Sequence, residues 1–392
     1  MTAINAIDND VYEQIVLMRR DLHRHPELSW QESRTAKEIG KFLDQYGVVH
    51  RMGVAGTGVV ADLPGPDGVP AVALRADMDA LPIQEDTGLP FSSEVHGVMH
   101  ACGHDGHTSM LLGAAALLAR ESSLPAPVRL IFQPAEETGN GAIAMIKAGV
   151  LQDVGIIFGG HLDRHYPTGS IVVTDGAVNA SSDAFWITIT GRGGHAARPH
   201  ETVDAVVAGS LLVIALQTIV SREVNPAHPS VLSVGIFRAG SASNVIANEA
   251  RLEGSIRAQD EQVRHTLHDS LRRIGESVGQ LHGAAIEVDI REGTPALANE
   301  ERPTRLARQA AIEVVGADHV QPLTIANMGG EDFSYYLRHV PGCYVRFGAQ
   351  IPGKEGFPAH SSKFDFDEDA LRIGAAYFRS VALLAGKRVS EL

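Results

Sequence analysis

Short apolar runs alternate with helical patterns over the first 182 residues, and this alternation constrains the fold more than any other feature of the chain. The helical patterns lie at 11–46, where Pro26 interrupts them, at 107–121 and at 141–149. The apolar runs, each bounded by turn residues, lie at 58–64, 71–82, 128–137 and 155–162. Strands that alternate with helices predict an α/β sheet with helices on its faces. In such sheets, reactive residues gather at the carboxyl ends of the strands.

The pattern changes after about residue 182, where apolar and polar residues begin to alternate with a period of two. Four strands and two helices follow in the order β-α-β-β-α-β, which is the split βαβ arrangement. We expect the strands at 184–191, 231–240, 249–258 and 284–292, and the helices at 202–221 and 261–281. A chain of 392 residues also exceeds the size at which one hydrophobic core stops growing. The sequence therefore predicts a domain at 183–294, inserted into a larger domain formed by 1–182 and 295–392.

The composition argues against several kinds of partner. The chain has 33 Lys and Arg and 47 Asp and Glu, and its net charge of −14 disfavours nucleic acid or an anionic membrane. The first 25 residues lack the basic segment and apolar run of a secretory signal. No unbroken apolar stretch approaches the roughly 18–20 residues of a membrane span. The two cysteines, Cys102 and Cys343, are too few for a disulfide framework, so we predict a cytoplasmic protein.

Residue types that bind metals are concentrated at 100–107, where the sequence reads His-Ala-Cys-Gly-His-Asp-Gly-His. Thiolate, imidazole and carboxylate groups together suit a borderline divalent metal such as Zn, Mn, Co or Ni. The glycines allow the backbone to turn tightly, so that the side chains can converge. A lone cysteine or histidine is more often structural, but a cluster of this density predicts a metal site.

Two adjacent carboxylates, Glu136 and Glu137, end the apolar run 128–137 and precede Gly139. In such a pair, one carboxylate can ligate a metal while its neighbour holds and deprotonates the attacking water. Paired glutamates are also common on solvated loops, so the position after a buried strand is what favours a functional interpretation.

Three more histidines lie near the ends of predicted strands. His161 follows an apolar strand, His360 lies in the segment Pro-Ala-His-Ser-Ser, and His195 lies at the glycine-rich end of the first strand of the insert. Each histidine alone would more often be structural or exposed. The glycines before His195 leave its ring free to project, although the same segment could be a simple turn.

Taken together, seven segments of the chain resemble the aminoacylase, hippurate hydrolase and auxin-conjugate hydrolase group of zinc-peptidase-like amidohydrolases. They stand in the order of that family and cover nearly the whole chain: DLHRHPELSWQE (21–32), RADMDALPIQE (75–85), MHACGHDGHTSMLLGAA (99–115), IFQPAEETGNGA (131–142), GRGGHAARPH (191–200), NMGGEDFSYY (327–336) and PAHSSKFDFDE (358–368). The resemblance implies an α/β, zinc-peptidase-like catalytic domain with a mixed sheet flanked by helices. It also implies that the insert is a ferredoxin-like lid and dimerisation domain.

The resemblance further implies roles for individual residues. Two divalent metal ions (Mn, Zn, Ni or Co) would be held by Cys102, His104, Glu137, His161 and His360. Glu136 matches the general base, and His195 matches a residue that stabilises the oxyanion in a partner subunit. Asn244 and Arg257 resemble contacts to a substrate carboxylate. The implied activity is hydrolysis of N-acyl amino acids, which are small molecules, by a homodimer or a tetramer.

One departure separates the chain from aminopeptidases and dipeptidases of the same clan. Those enzymes carry a ligand histidine two residues before an aspartate, but here Arg75 precedes Asp77, and arginine cannot ligate a metal. This favours blocked amino acids as substrates, with acetyl, benzoyl and indole-acetyl groups all compatible. We predict that Asp77 and Asp105 orient the ligand histidines. A dipeptidase or aminopeptidase remains the main alternative, and a non-catalytic metal-binding protein is a second one, although structural zinc sites are usually closed by four Cys or His ligands.

Overall fold

The computed structural model describes residues 7–324, 327–353 and 356–391. The chain forms two compact units. The first unit comprises Met1–Gly176, Ala298–Thr324 and Asp332–Leu392, and the second comprises Ala177–Leu297 and Ile325–Glu331.

The helices and strands are numbered in chain order. The helices are α1 Asn9–Arg24, α2 Ser33–Gln45, α3 His104–Ala119, α4 Gly141–Lys147, α5 Ala205–Thr218, α6 Glu261–His282, α7 Glu301–Val315 and α8 Asp369–Gly386. The strands are β1 Val49–Val54, β2 Gly58–Leu63, β3 Ala71–Asp77, β4 Val128–Gln133, β5 Val154–Pro167, β6 Ile171–Val172, β7 Gly176–Asn179, β8 Asp183–Thr190, β9 Gly194–His195, β10 Ser230–Ala239, β11 Val245–Ile246, β12 Glu249–Ala258, β13 Ala285–Arg291, β14 Leu297–Asn299, β15 Val320–Gln321 and β16 Gly342–Gln350.

An eight-stranded mixed sheet forms the centre of the first unit, in the order β1-β2-β4-β3-β5-β16-β6-β15. Strands β4, β3, β5 and β16 run parallel to one another, so their carboxyl ends meet at one edge. Every residue of β3 is buried, as expected for the continuous apolar run of a parallel strand covered on both faces. This sheet and its flanking helices confirm the predicted α/β class.

Helix α3 is buried along almost its entire length, from His104 to Leu118. Its sequence of Leu, Ala, Gly and Met has no polar face after the first turns, and a helix that is apolar all round must lie inside the protein. A Cβ on Gly113 would lie only 2.8 Å from the Cβ of Ala375 in α8, so glycine allows these two helices to approach closely. The metal-ligating residue types at its N-terminal end therefore have a rigid support.

The second unit contains a four-stranded antiparallel sheet in the order β10-β12-β8-β13. Helices α5 and α6 contribute to its apolar core together with β8, whose residues alternate between buried and half-buried. The order β8-α5-β10-β12-α6-β13 confirms the predicted β-α-β-β-α-β pattern. The short pair β9 and β11 lies outside that pattern and was not predicted.

Helix α5 continues into a π-helical turn, and the combined stretch Ala205–Glu223 has 19 residues, including an 18-residue window with a mean hydropathy of 1.8. Length and composition alone would allow it to cross a membrane, and one third of it is buried inside the unit. Ser210, Gln217 and Thr218 interrupt its apolar residues, so the stretch is not an unbroken apolar run.

A buried ion pair stabilises the second unit. Asp183 accepts hydrogen bonds from Nε of Arg264 (2.8 Å), Nε2 of His268 (2.7 Å) and the backbone N–H of Gly293 (3.0 Å). Burial opposes the charge of Asp183, but the hydrogen bonds from His268 and Arg264 outweigh it and lower the pKa of the carboxyl to about 2.

Asp183→Asn is therefore expected to lower the free energy of unfolding of this unit by about 3 kcal/mol, because the guanidinium of Arg264 loses its buried partner. The difference from wild type should be complete above the ordinary carboxyl pKa of 3.8 and should vanish as the pH falls through about 2. Urea unfolding followed by the fluorescence of Trp186, in a Trp30→Phe background, measures it. An equal unfolding midpoint at neutral pH would contradict the prediction.

Candidate metal centre

Acidic and imidazole side chains lie at the end of β3, just after β4 and in the second half of β5, three neighbouring parallel strands. Asp77 is the last residue of β3, Glu136 and Glu137 follow β4, and His161 lies in the second half of β5. Cys102 and His104 flank Gly103, whose φ of +87° begins α3 with a tight left-handed turn. The predicted gathering of reactive groups at the carboxyl edge of the sheet is thus present in the first unit.

The five predicted ligands converge on one another in this unit. The shortest separations are 3.4 Å from Sγ of Cys102 to Nε2 of His161, 3.4 Å from Nε2 of His360 to Oε1 of Glu137, and 3.9 Å from Nε2 of His104 to Oε1 of Glu137. Cys102 belongs to two groups whose ligand atoms all lie within 4.8 Å, one with His104 and His161 and the other with Glu137 and His360. Cys102 is therefore the member that these two groups share.

The donor atoms fit a divalent metal. Among the residues that the structure describes, no donor forms a hydrogen bond with the buried Oε1 of Glu137, although two imidazole nitrogens lie near it. Nδ1 of His161 lies 2.6 Å from the carbonyl oxygen of Leu162, so the ring donates there and Nε2 keeps its lone pair. Desolvation lowers the pKa of His161 well below its usual value, which keeps the ring neutral, as a ligand must be.

The thiol of Cys102 also depends on a cation. Burial, followed by the nearby carboxylate of Glu137, raises the pKa of this thiol to about 12. A coordinating metal deprotonates a thiol outright, because its charge is the largest in the site. Cys102 would then be a thiolate ligand only with an ion bound.

Asp79 orients His104 through hydrogen bonds. Asp77 was also predicted to orient a ligand histidine, and its Oδ2 lies 3.8 Å from Nε2 of His104, too far for a hydrogen bond. Asp105, predicted to do the same, forms no hydrogen bond with a ligand histidine among the described residues. Nδ1 of His104 lies 2.9 Å from the carbonyl oxygen of Asp79 and 3.2 Å from its Oδ1. Asp77 instead binds Nδ1 of His107 at 2.6 Å, and Nε2 of His107 accepts the backbone N–H of Leu162, so this ring has no free nitrogen for a metal. Residues two apart in an extended chain point the same way, which is why the sequence did not distinguish Asp77 from Asp79.

Asp105 faces away from the ligand histidines. Its Oδ2 lies 2.8 Å from Nδ1 of His23 and 3.0 Å from Nε of Arg19, both on α1. The carboxylate therefore joins the first turn of α3 to α1. This connection supports Cys102 and His104, on either side of Gly103, although Asp105 forms no hydrogen bond with either of them among the described residues.

Arg75, which the family resemblance places where aminopeptidases would carry a ligand histidine, is engaged in a buried network. Nη1 lies 2.6 Å from Oδ2 of Asp77, Nη2 lies 2.7 Å from Oδ1 of Asp332, and Nε donates to Oε1 of Gln133 at 2.8 Å. The amide of Gln133 in turn donates to Asp332 at 2.9 Å. The ends of β3 and β4 are thus joined by charge-assisted hydrogen bonds, and the prediction that Arg75 is not a ligand agrees with these contacts.

The turn Ala135–Glu137 carries both paired glutamates, and the sequence did not reveal how it is held. Ala135 adopts a φ of +54°, which is unusual for a residue with a Cβ. The backbone N–H of Glu136 donates to Oδ1 of Asp79, and that of Glu137 donates to Oδ2, both at 3.1 Å. Asp79 therefore fixes the backbone of the two glutamates as well as the ring of His104.

The other three predicted site residues lie in the second unit. His195 is exposed on β9, opposite Val245, and its Nδ1 accepts the backbone N–H of Ala197 at 3.0 Å. Its Nε2 is then the nitrogen that carries the proton, so it can donate. The carbonyl oxygen of Asn244 accepts the N–H of Ala196 at 3.1 Å, which places Asn244 beside His195.

Arg257 lies on β12 of the same unit, and burial lowers the pKa of its guanidinium. Within the described part of the chain, its guanidinium forms no ion pair or hydrogen bond. A half-buried cation of this kind is suited to an anionic ligand.

Comparisons with known proteins agree with this chemistry. The model of the peptidase family M20/M25/M40 matches residues 73–384. An N-acetylcysteine deacetylase of Bacillus subtilis (strain 168) is 39% identical over 379 residues, which is 96% of this chain and 98% of that protein. Thermostable carboxypeptidase 1 of Saccharolobus solfataricus is 40% identical, with 99% of both chains covered.

Among solved structures, the chain is similar to the Bacillus subtilis YXEP protein, described as a dinuclear metal-binding peptidase from the M20 family. The TM-score is 0.87 and the identity 36%, and the match covers 97% of this chain and 99% of that one. These findings confirm the family resemblance drawn from the seven sequence segments. The chain belongs to the peptidase family M20/M25/M40.

Proposed function

We propose that this chain hydrolyses the amide bond of N-acyl amino acids, releasing a carboxylic acid and a free amino acid. Members of its family are metal-dependent hydrolases that act on amides, and the chain is one of them. The observation that carries the proposal is the turn at 135–137, where a second carboxylate, Glu136, lies beside Glu137, the proposed metal ligand. A purely structural metal site is closed by its ligands and does not need a second carboxylate beside them.

Two divalent ions would be held by Cys102, His104, Glu137, His161 and His360. Bound ions of this kind lower the pKa of a water molecule towards neutrality and polarise the carbonyl of the substrate. Glu136 holds that water, takes its proton and delivers it to the leaving nitrogen, acting as base and then as acid. Glu137 would not share this role, because its Oε1 lies beside His360 and His104, where it would hold the ions together with them.

In this proposal, the second unit, which contains the predicted insert 183–294, supplies the remaining groups. His195 donates a hydrogen bond from Nε2 to the oxyanion that develops on the substrate carbonyl. Arg257 and Asn244 bind the α-carboxylate of the amino acid. The support for Arg257 is its half-buried guanidinium without an acidic partner among the described residues, since such a charge is costly unless a ligand pairs with it.

We further propose that the enzyme is a cytoplasmic homodimer joined through the second unit, with His195 acting in the partner subunit. Strands β10 and β13 are the two edges of the four-stranded sheet, and bare edges favour pairing with another chain. Helix α5 also exposes apolar side chains, with Val207 50% and Ile214 67% exposed. A two-fold axis would pair these surfaces with their own copies.

The alternative activity is that of a peptidase with a preference for free peptides. Arg75 argues against the aminopeptidase arrangement, because its buried ion pairs leave no ligand at that position. One relative is named a carboxypeptidase. A carboxypeptidase cleaves a peptide bond next to a free carboxylate, which N-acyl amino acids also carry. The nature of the group on the amino nitrogen therefore decides between the two activities.

A matched substrate panel tests the proposal. N-acetyl, N-benzoyl and indole-acetyl derivatives of one amino acid are compared with a dipeptide that has a free amine and with the same dipeptide acetylated. We expect kcat/KM for at least one acyl amino acid to exceed that for the free dipeptide by about tenfold or more, equivalent to 1.4 kcal/mol in the barrier. Preference for the free dipeptide would replace the proposal with a peptidase function.

A further inference from the structure

Glu32 is a fully buried carboxylate that the proposed mechanism does not use. It lies in the segment before α2, and its Oε2 accepts a hydrogen bond from Oγ1 of Thr57 at 2.6 Å. Its Oε1 accepts the backbone N–H of Trp30 at 3.0 Å and that of Ala135 at 2.9 Å. No Lys or Arg among the described residues forms an ion pair with it. Burial accordingly raises the pKa of Glu32, so its position is electrostatically unfavourable and requires a compensating benefit.

The contact with Ala135 indicates that benefit. Ala135 is the residue with positive φ that connects β4 to the paired glutamates, and a side chain with a Cβ disfavours that backbone conformation. A hydrogen bond to the N–H of Ala135 fixes the peptide group on the amino side of the unfavourable residue. Strained positions of this kind persist only where the surrounding structure determines them.

Glu32 and Asp79 together bind three consecutive amide groups. Glu32 takes the N–H of Ala135, and Asp79 takes those of Glu136 and Glu137. The two carboxylates come from different parts of the chain, one before α2 and one after β3. The turn is therefore held at both ends, and its two glutamate side chains take different directions. Oε1 of Glu137 faces His360, whereas Oε1 of Glu136 lies 3.4 Å from the backbone N of Asp332.

We propose that Glu32 is a positioning residue, which holds the left-handed turn at Ala135 so that Glu137 faces the metal ions and Glu136 faces the attacking water. The proposal rests on the proposed function for the role of Glu136, but its effect on metal binding does not. Without Glu32, Ala135 relaxes towards a negative φ. The next peptide group then rotates and carries both glutamates away from their positions.

The test compares three variants with the wild-type enzyme. Glu32→Ala removes the acceptor, and Glu32→Gln keeps an oxygen for the two backbone N–H groups. Glu27→Ala is the matched control, because the Glu27 carboxylate also accepts two backbone N–H groups, from Arg34 (3.0 Å) and Thr35 (2.7 Å), but among the described residues it forms no hydrogen bond with the turn at 135–137. For each variant, the dissociation constant for Zn²⁺ or Mn²⁺ is measured by competition with a chromogenic chelator, alongside kcat, KM and thermal unfolding.

We expect Glu32→Ala to weaken metal binding and to lower kcat, each by about 10–100-fold, with KM changed less than kcat. Glu32→Gln should recover most of both losses. Glu27→Ala should lower the unfolding temperature and leave the metal dissociation constant unchanged. In a Glu32→Ala background, Ala135→Gly should restore part of the metal affinity, because glycine adopts positive φ without help.

The proposal is overturned if Glu32→Ala affects only thermal stability, or if Glu27→Ala weakens metal binding as much. If Glu32→Ala does not fold, Glu32→Asp replaces it. The shorter side chain cannot reach both Ala135 and Thr57, so unchanged metal affinity in that variant would also overturn the proposal. Loss of metal affinity in an enzyme that hydrolyses no N-acyl amino acid would support the positioning role and refute the proposed function instead.

Discussion

Glu136→Gln is expected to retain both metal ions and to lose about 10²–10⁴-fold in kcat. The amide of glutamine has nearly the same shape as the carboxylate, but it cannot take a proton from water at neutral pH. The five ligand side chains are unchanged, so metal content measured by elemental analysis should equal that of the wild type.

Glu137→Gln is the matched variant on the same turn, and the opposite result is expected. Its Oε1 is buried near His360 and His104, and it has no hydrogen-bond donor in the described part of the chain. Loss of the negative charge should therefore reduce metal content, and activity should fall as a consequence that excess metal partly reverses. Equal metal loss in the two variants would mean that the roles of base and ligand have been divided wrongly.

His195→Ala is expected to lower kcat by about 10²–10³-fold without changing metal content, because one hydrogen-bond donor to the oxyanion is removed. His195 is exposed and its ring contacts the backbone within its own loop, so the folded second unit should tolerate the change. Unfolding transitions that match the wild type are the control for that point.

Mixing two inactive variants tests whether His195 acts in a partner subunit. A dimer of one Glu136→Gln chain and one His195→Ala chain would contain one site with both Glu136 and His195, and one site with neither. Up to half of the wild-type activity per mixed dimer should then return after subunit exchange. No recovery, with exchange demonstrated by differently tagged chains, would show that His195 acts within its own chain or has no catalytic role.

The sequence predicted the elements of the fold better than their ends. The apolar run at 71–82 was expected to be one strand, but β3 ends at Asp77. The chain then leaves the sheet, and Asp79 forms a hydrogen bond with His104. The run at 128–137 likewise ends at Gln133, before the turn with positive φ at Ala135. Local propensity continues through both points, and the tertiary hydrogen bonds that end the strands come from residues far along the chain.

The residues of the candidate site also differ in how well the sequence predicted them. The dense cluster around Cys102 and His104 predicted a metal site, and the family resemblance supplied the full set of candidate ligands. Asp79 and Glu32 were not accessible, since an acidic residue near a strand end or before a helix is common. Their roles depend on backbone N–H groups, which are present at every residue except proline and leave no trace in the sequence.

Metal reconstitution tests the central claim most directly. Metal-free protein is prepared by chelation, confirmed by elemental analysis, and titrated with Mn²⁺, Co²⁺, Ni²⁺ or Zn²⁺ while hydrolysis of an N-acyl amino acid and bound metal are followed together. We expect no turnover at the start, and an activity that rises until two ions are bound per chain, to a level that depends on the metal. Full turnover by the metal-free protein would contradict the claim that this cluster is the catalytic centre.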